Sequence, residues 1–294
     1  MIETEVLKKV RKIEIKTRTI SNEIFAGKYH SAFKGRGMSF SEVREYRIGD
    51  DVRDIDWNVT ARSDSPHIKT FEEERELTMM LLIDVSGSRY FGTKDKFKQS
   101  LITEIAAVLS FSAAQNNDKI GCILFSDTVE KYIPPKKGRN HILRIIRELL
   151  EFKPQSNTTN IGEAVRFLTS TTKKRSTAFI LSDFMDCDVE NGVANFELPL
   201  KIAVNKHDIV GIKIFDQREQ TMPNVGIVEL EDGETGEKVW VDTSSKAVRE
   251  HYENYNKKLN FIIENTLVKY RIDSVDCSTE DDYVKALMML FKKR

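Results

Sequence analysis

The sequence lacks the features that mark membrane-spanning and disulfide-stabilised proteins. Its three cysteines in 294 residues, Cys122, Cys187 and Cys277, are too few and too scattered for a disulfide framework or a zinc site. No uninterrupted apolar stretch approaches the roughly 20 residues that a membrane-spanning helix needs. The N-terminal residues alternate charged with apolar side chains and contain no apolar signal-peptide core. We therefore expect a cytoplasmic protein without membrane insertion.

The sequence also has no excess of charge and no familiar catalytic motif. Lys plus Arg is 46 and Asp plus Glu is 46, whereas binding to nucleic acid needs an excess of positive charge on one face. The five histidines form no H-x-H or H-E-x-x-H pair, and no glycine-rich phosphate loop is present. Asp84 stands where a G-x-S-x-G motif around Ser86 needs its first glycine. These absences disfavour nucleic-acid binding and a serine hydrolase.

From residue 77 onward, apolar runs of strand length alternate with helical patterns. The runs LTMMLLID, KIGCILF, STAFILSD and DIVGIKIFD are typical of strands buried on both faces. Helical periodicity lies between them, at about 94–115, at about 139–152 and from Asn160 onward. This alternation predicts an α/β domain over 75–294, a doubly wound, mostly parallel sheet with helices on both faces.

Two segments interrupt or precede that alternation. Residues 27–76 are polar and punctuated by glycine, without a long periodic element, and we expect an N-terminal extension over 1–74 that docks on the core. Residues 225–243 have the pattern of two short strands joined across Asp232–Gly236, which predicts a hairpin insertion at about 217–243. The last helix is predicted to be capped at Thr279, with Asp282 three residues on.

Polar side chains follow the ends of two of the buried strands. Asp84 ends the first strand, Ser86 and Ser88 follow at alternate positions, and Asp183 ends a later strand. In open α/β sheets, ligands bind beyond the carboxyl ends of the strands. The segment SNTTNIGEA adds Thr158 or Thr159, in a loop just before a helix. We therefore expect these side chains to meet at one edge of the sheet.

The donors at that edge are two carboxylates and three hydroxyls. All of them are hard oxygen donors, which suit Mg²⁺ or Mn²⁺ with about six oxygens around the ion. Because only two of the donors carry charge, a bound dication is barely neutralised and stays attractive to a carboxylate from outside. The donor set predicts a site that grips an acidic residue of a partner protein and is poorly equipped for chemistry.

The order of these residues resembles a known motif. DVSGS, followed by TTN and LSD, resembles the metal-ion-dependent adhesion site of von Willebrand factor A domains, whose pattern is D-x-S-x-S, then Thr, then Asp. Usual members have glycines before this Thr, where Asn157 and Thr158 stand here. The resemblance implies a fold of von Willebrand factor A type. Carried over by position, it implies a metal held by Asp84, Ser86, Ser88, Thr159 and Asp183.

Two longer segments resemble the bacterial family named domain of unknown function 58. They are YRIGDDVRDIDWNVTARSDSPHIKTFEEE (46–74) and VELEDGETGEKVWVDT (228–243). The resemblance implies a cytoplasmic or membrane-anchored protein that accompanies a MoxR-type AAA+ ATPase in the assembly or activation of other proteins. Membrane-anchored members carry hydrophobic helices that are missing here.

These patterns together predict a non-enzymatic, metal-dependent protein-interaction module. One alternative is a phosphatase-like, metal-dependent hydrolase at the same site, which needs a general base or an activated water near the ion. No His or Glu close in sequence to the metal residues takes that role. Another is a structural domain whose site is empty. The acidic run GDDVRDIDW (49–57) is interpreted as an ion-pair network with nearby arginines rather than as a second site.

Overall fold

The computed structural model describes residues 10–18, 20, 37–63, 65–74, 77–90, 98–231 and 236–294. The chain divides into two compact units, one within Phe33–Leu77 and one formed by Met1–Ala32 with Thr78–Arg294. Helix α1 covers residues 10–18. The part of the predicted opening helix before residue 10 lies outside the described residues.

The smaller unit is a β-hairpin with a long connection. Strand β1 (Gly37–Glu45) pairs antiparallel with β2 (His67–Glu74). The connection carries a 3-10 turn (Val52–Asp54) and the one-turn helix α2 (Trp57–Thr60). The prediction that 27–76 contains no long regular element was therefore wrong. Both strands are rich in charged and hydroxyl residues, and their few apolar residues (38, 40 and 43 in β1, 68 and 71 in β2) do not sustain a regular alternation along the strand.

The larger unit is built on a six-stranded sheet in the order β12-β9-β6-β3-β4-β5. All neighbouring strands are parallel except β4 and β5, which form an antiparallel pair. The α/β class with a mostly parallel sheet is thus confirmed. The strands of this unit are β3 (Thr78–Asp84), β4 (Lys119–Phe125), β5 (Val129–Lys136), β6 (Thr177–Ser182), β7 (Cys187–Asp188), β8 (Val193–Ala194), β9 (Asp208–Phe215), β10 (Ile227–Glu231), β11 (Lys238–Asp242) and β12 (Asp273–Ser278).

Helices of the predicted lengths flank this sheet. In the described parts of the chain, none of them is long and apolar enough to cross a membrane. The helices of this unit that follow α1 are α3 (Lys98–Gln115), α4 (Arg139–Glu151), α5 (Ile161–Thr171), α6 (Glu197–Lys206), α7 (Gln217–Gln220), α8 (Lys246–Lys269) and α9 (Tyr283–Lys293).

Local sequence explains where two of the helices begin. The Asn160 side chain accepts a hydrogen bond from Glu163 N at 2.9 Å and so caps α5, at the residue from which the helical pattern is predicted to run. The predicted cap at Thr279 was wrong: α9 is capped by Asp282, which accepts from Val284 N at 3.1 Å. The Thr279 hydroxyl instead donates to Asp216 Oδ2 at 2.7 Å. A side chain that is committed to a tertiary hydrogen bond is not available to cap the helix that follows.

Two further features belong to the larger unit. The predicted hairpin is present as the antiparallel pair β10–β11, and it exposes 69% of Trp240. Helix α1 is joined to the rest of this unit by Lys16 with Glu104 at 2.6 Å and by Arg139 with Glu14 at 2.5 Å. That the whole extension over 1–74 docks on the core stays a prediction.

Candidate metal site at the carboxyl edge of the sheet

The two strand-terminal carboxylates lie at one edge of the sheet. Strands β3 and β6 are parallel neighbours with Ile83 opposite Leu181, so the residues that follow them leave the sheet side by side. Both carboxylates are buried, Asp84 at 3% exposure and Asp183 at 5%. The Ser182 hydroxyl donates to Asp84 Oδ2 at 2.7 Å, which ties the end of β6 to that of β3. The parallel topology thus brings together two acids that are far apart in sequence.

The turn after Asp84 directs its two serines into the same cluster. Ser86 N donates to Asp84 Oδ1 at 3.0 Å, and the Ser86 and Ser88 hydroxyl oxygens lie 3.3 Å apart. The Ser88 hydroxyl also hydrogen-bonds to Asp183. The alternate spacing of the serines therefore places both hydroxyls with the carboxylates, as the sequence predicts.

The fifth predicted residue, Thr159, lies in the loop before α5. Gly87 N donates to the Asn157 carbonyl at 2.9 Å, which holds this loop against the serine turn. The Thr159 hydroxyl oxygen is buried and has no hydrogen-bond partner among the residues that the structure describes. Thr158 is exposed, and its hydroxyl is paired with Ser156 at 3.0 Å. Of the two threonines, Thr159 is thus the one with an unused oxygen.

The pKa values of the two carboxylates are shifted in opposite directions. Burial, followed by the negative charge of Asp183, raises the pKa of Asp84 from 3.8 to about 7. Burial alone would also raise the pKa of Asp183. The Lys98 ammonium and the hydrogen bonds from Ser88 and Met185 N outweigh it, so the pKa of Asp183 is lowered. In the absence of a cation, Asp183 is therefore the carboxylate that stays ionised, and Asp84 is the one that takes up a proton more readily.

Sequence reasoning missed Lys98, which lies at the start of α3. This side chain is fully buried, and its ammonium lies 3.2 Å from Asp183 Oδ2 and 2.5 Å from Glu219 Oε1. Lysine is almost never buried unless it is paired. Nothing in the local sequence distinguishes Lys98 from the other lysines near it, because its partners belong to distant segments.

The donors suit a divalent cation of the Mg²⁺ type. All five predicted residues offer oxygen, and the Thr159 hydroxyl is a buried acceptor that a cation would satisfy. In the part of the chain that the structure describes, no group of three or more His, Cys, Asp or Glu is arranged to hold a metal. A cation here would thus depend on hydroxyls and water in addition to the two carboxylates.

The acidic run in the smaller unit has a structural explanation. Asp50 forms a bidentate ion pair with Arg44 at 2.7 and 2.8 Å. Asp56 caps α2 and lies 3.5 Å from Lys69, and Asp51 lies 3.3 Å from Arg53. These carboxylates are used in capping and pairing, which agrees with their interpretation as an ion-pair network.

Comparison with known proteins gives a family for most of the chain. The family described as "Protein of unknown function DUF58" matches residues 42–260. Uncharacterized proteins of Mycobacterium tuberculosis and Mycobacterium bovis are each 29% identical over 229 residues, which is 77% of this chain and 70% of theirs. An uncharacterized protein of Mycobacterium avium is 27% identical over 106 residues, 35% of this chain and 59% of its own.

Solved structures with a similar fold are more distant in sequence. BatB from Bacteroides thetaiotaomicron has a TM-score of 0.46 at 14% identity, covering 74% of this chain and 98% of that one. An aerotolerance-related membrane protein from Bacteroides fragilis has a TM-score of 0.48 at 13% identity, covering 74% and 100%. A von Willebrand factor type A protein from Catenulispora acidiphila has a TM-score of 0.38 at 12% identity, covering 77% and 43%.

Proposed function

We propose that this chain, which belongs to the family described as protein of unknown function DUF58, is a non-enzymatic protein-interaction module whose binding depends on a divalent cation. Asp84 and Asp183 would hold Mg²⁺ or Mn²⁺ by charge, directly or through water. Ser86, Ser88 and Thr159 would add neutral oxygens. When bound, the cation supplies an electrophilic position for a carboxylate of the partner protein, and the chain's own residues fix where that carboxylate meets the surface.

The buried Thr159 hydroxyl carries this proposal. A buried polar oxygen without a partner costs about 1 to 3 kcal/mol and is rare in native proteins. Here the loop that bears it is held against the serine turn by the hydrogen bond from Gly87 N to the Asn157 carbonyl. A cation coordinated by that oxygen would offset the cost. A simple strand-to-helix turn gives no reason to keep a hydroxyl at this position.

The surroundings favour binding over catalysis. A hydrolase at this site needs a base that is free to accept a proton from water. In the described part of the chain, Glu219 is the glutamate linked to the cluster, and both of its oxygens are engaged. Oε1 pairs with Lys98 at 2.5 Å, and Oε2 accepts from Asp216 N at 3.0 Å. Lys98, as an ammonium, is not a base.

The partner we propose is a protein that offers an acidic side chain, with a MoxR-type AAA+ ATPase suggested by family resemblance alone. The role would be to help assemble or activate other proteins in the cytoplasm. The acidic residue of the partner would complete the coordination shell and add the third negative charge around the ion. Recognition would then depend on the cation and be lost in a chelator.

Removing two hydroxyls should weaken cation binding. We expect Mn²⁺ to bind the wild type and to bind the Ser88→Ala/Thr159→Ala variant at least about tenfold more weakly, because two of the five donors are gone. Added acetate should tighten binding in the wild type, because it stands in for the partner carboxylate. Isothermal titration calorimetry with and without acetate measures both effects.

The matched control is Ser156→Ala/Thr158→Ala, which removes two hydroxyls of the same loop that are paired with each other at 3.0 Å. Its affinity for Mn²⁺ should equal that of the wild type. Equal affinity in all three proteins would contradict the proposed ligand set, and the absence of any Mn²⁺ binding would contradict the metal dependence itself.

A phosphatase assay separates the proposed module from the hydrolase alternative. With p-nitrophenyl phosphate and Mn²⁺, we expect the wild type to release no more product than Asp84→Ala, because the Glu219 carboxylate is engaged by Lys98 and Asp216 N and the Asp84 carboxylate would be held by the ion. Release by the wild type that is lost in Asp84→Ala would overturn the non-enzymatic assignment.

A further inference from the structure

Lys98 places a fixed positive charge beside the proposed cation site. Its ammonium lies 3.2 Å from Asp183 Oδ2, an oxygen that a cation would also use. The side chain is fully buried and paired with two carboxylates, those of Asp183 and Glu219, which is the environment of a charged lysine. An ammonium and a dication compete for the same carboxylate.

Glu219 holds the same ammonium from the other side. Its Oε1 lies 2.5 Å from Lys98 Nζ, a shorter contact than the one that Asp183 makes. Its Oε2 accepts from Asp216 N at 3.0 Å in the capping box of α7, so the carboxylate has a fixed position. Glu219 is thus placed to keep Lys98 from closing fully on Asp183.

We propose that Lys98 and Glu219 form an internal charge pair that sets the cation affinity of the site, with Lys98 weakening it and Glu219 restoring it. This inference rests on the proposed function. When all three carboxylates are ionised, Asp84, Asp183 and Glu219 are opposed by one ammonium, which leaves two net negative charges. A dication balances that charge. Without Lys98, the site would carry one more negative charge and bind the cation more tightly. Without Glu219, it would carry one fewer and bind the cation more weakly.

The position of Glu219 connects this pair to the segment that carries the hairpin. Its carbonyl accepts from Tyr252 Oη at 2.8 Å and from Asn256 Nδ2 at 2.9 Å, both on α8. Helix α7 leads directly into the chain that forms β10 and β11. A partner that displaces α7 would move the carboxylate that holds Lys98 and so change the cation affinity; by linkage, the cation would change the affinity for that partner.

The test is a charge cycle measured by Mn²⁺ titration at pH 8, followed by electron paramagnetic resonance of free Mn²⁺. We expect Lys98→Met to bind Mn²⁺ about tenfold more tightly than the wild type and Glu219→Gln about tenfold more weakly. The Lys98→Met/Glu219→Gln variant, which removes both charges, should return to within about threefold of the wild type, because the net charge is restored. Opposite shifts that cancel in the double variant are not expected from general damage to the fold.

Lys16→Met is the matched control, because it removes a lysine of the same unit that pairs with Glu104 at 2.6 Å, away from the two carboxylates. It should leave Mn²⁺ affinity unchanged. If the wild type binds Mn²⁺ but Lys98→Met and Glu219→Gln do not shift its affinity in opposite directions, the charge pair is overturned and the proposed function still holds. Binding that appears only in Lys98→Met would overturn the proposed function, because the wild type would not hold the cation, and would keep only the weakening effect of Lys98. Absence of binding in every variant overturns both the proposed function and this inference.

Discussion

Asp84→Asn should stabilise the cation-free protein at pH 8 by about 2 to 4 kcal/mol and abolish its response to Mg²⁺. Asp84 is buried beside Asp183, and its pKa is raised from 3.8 to about 7. Ionising it in the folded state is therefore costly. The asparagine side chain has no charge. Its oxygen can still accept a hydrogen bond from Ser86 N, and its NH2 group can donate one to the Ser182 hydroxyl oxygen. A cation that needs this carboxylate would no longer bind.

The gain in stability of Asp84→Asn over the wild type should increase as the pH rises. Between about pH 4 and 7, the unfolded chain has lost the Asp84 proton and the folded chain has kept it, so wild-type stability falls as pH rises. Above about 7 the full cost is present. Thermal unfolding of both proteins from pH 4 to 8, with and without Mg²⁺, measures this.

The control for Asp84→Asn is Asp127→Asn, at an exposed aspartate in the turn after β4, which should change neither stability nor the Mg²⁺ response. A loss of stability in Asp84→Asn at pH 8 would mean that Asp84 is a structural carboxylate.

Phe184→Ala should cost about 3 to 5 kcal/mol of folding free energy and also weaken Mn²⁺ binding about tenfold. Phe184 is 1% exposed and packs edge-on against Phe196 with ring centroids 5.8 Å apart. Its φ is +61°, a backbone conformation that a bulky side chain rarely adopts. This turn directs Met185 N to Asp183 Oδ1 at 3.2 Å, so its geometry orients a proposed ligand. We infer that packing of the ring holds the strained turn in place.

Phe196→Ala separates packing from orientation. It removes the other ring of the same pair, but its backbone has a φ of −86° and lies at the start of α6 rather than beside a ligand. Both variants should lose similar stability in urea unfolding, and only Phe184→Ala should lose Mn²⁺ affinity. The double variant should cost less than the sum, because the two rings contact each other. Equal Mn²⁺ affinity in both single variants would limit Phe184 to a packing role.

Sequence periodicity was sufficient for most of the larger unit. Runs such as LTMMLLID are typical of strands buried on both faces, and their alternation with helical patterns favours parallel crossovers. The α/β class, the hairpin over 227–242 and the cap at Asn160 follow from such local patterns, and the structure contains all three. The hairpin β1–β2 was missed, because its strands are mostly polar and their few apolar residues give only a weak periodic signal.

The part of the candidate site that lies at strand ends could be predicted from the sequence. Asp84 and Asp183 stand at the ends of buried parallel strands, so both are expected at the carboxyl edge of the sheet. Ser86 and Ser88 are expected beside Asp84 because they follow it at alternate positions. What the sequence could not determine is which segments become neighbours across the sheet. That depends on strand order, and the order β9-β6-β3 is a tertiary property.

The tertiary structure alone therefore decided the pairing of Lys98 with Asp183 and Glu219. It also places the Thr159 hydroxyl, rather than that of Thr158, in a buried position without a hydrogen-bond partner in the described part of the chain. Strand burial and residue spacing are local, so the sequence was enough for the fold class and for Asp84, Ser86, Ser88 and Asp183 as candidate ligands, whereas Thr159 was chosen by family resemblance. The charge balance of the site was left to the fold, since opposite charges from distant segments meet only after the sheet has assembled.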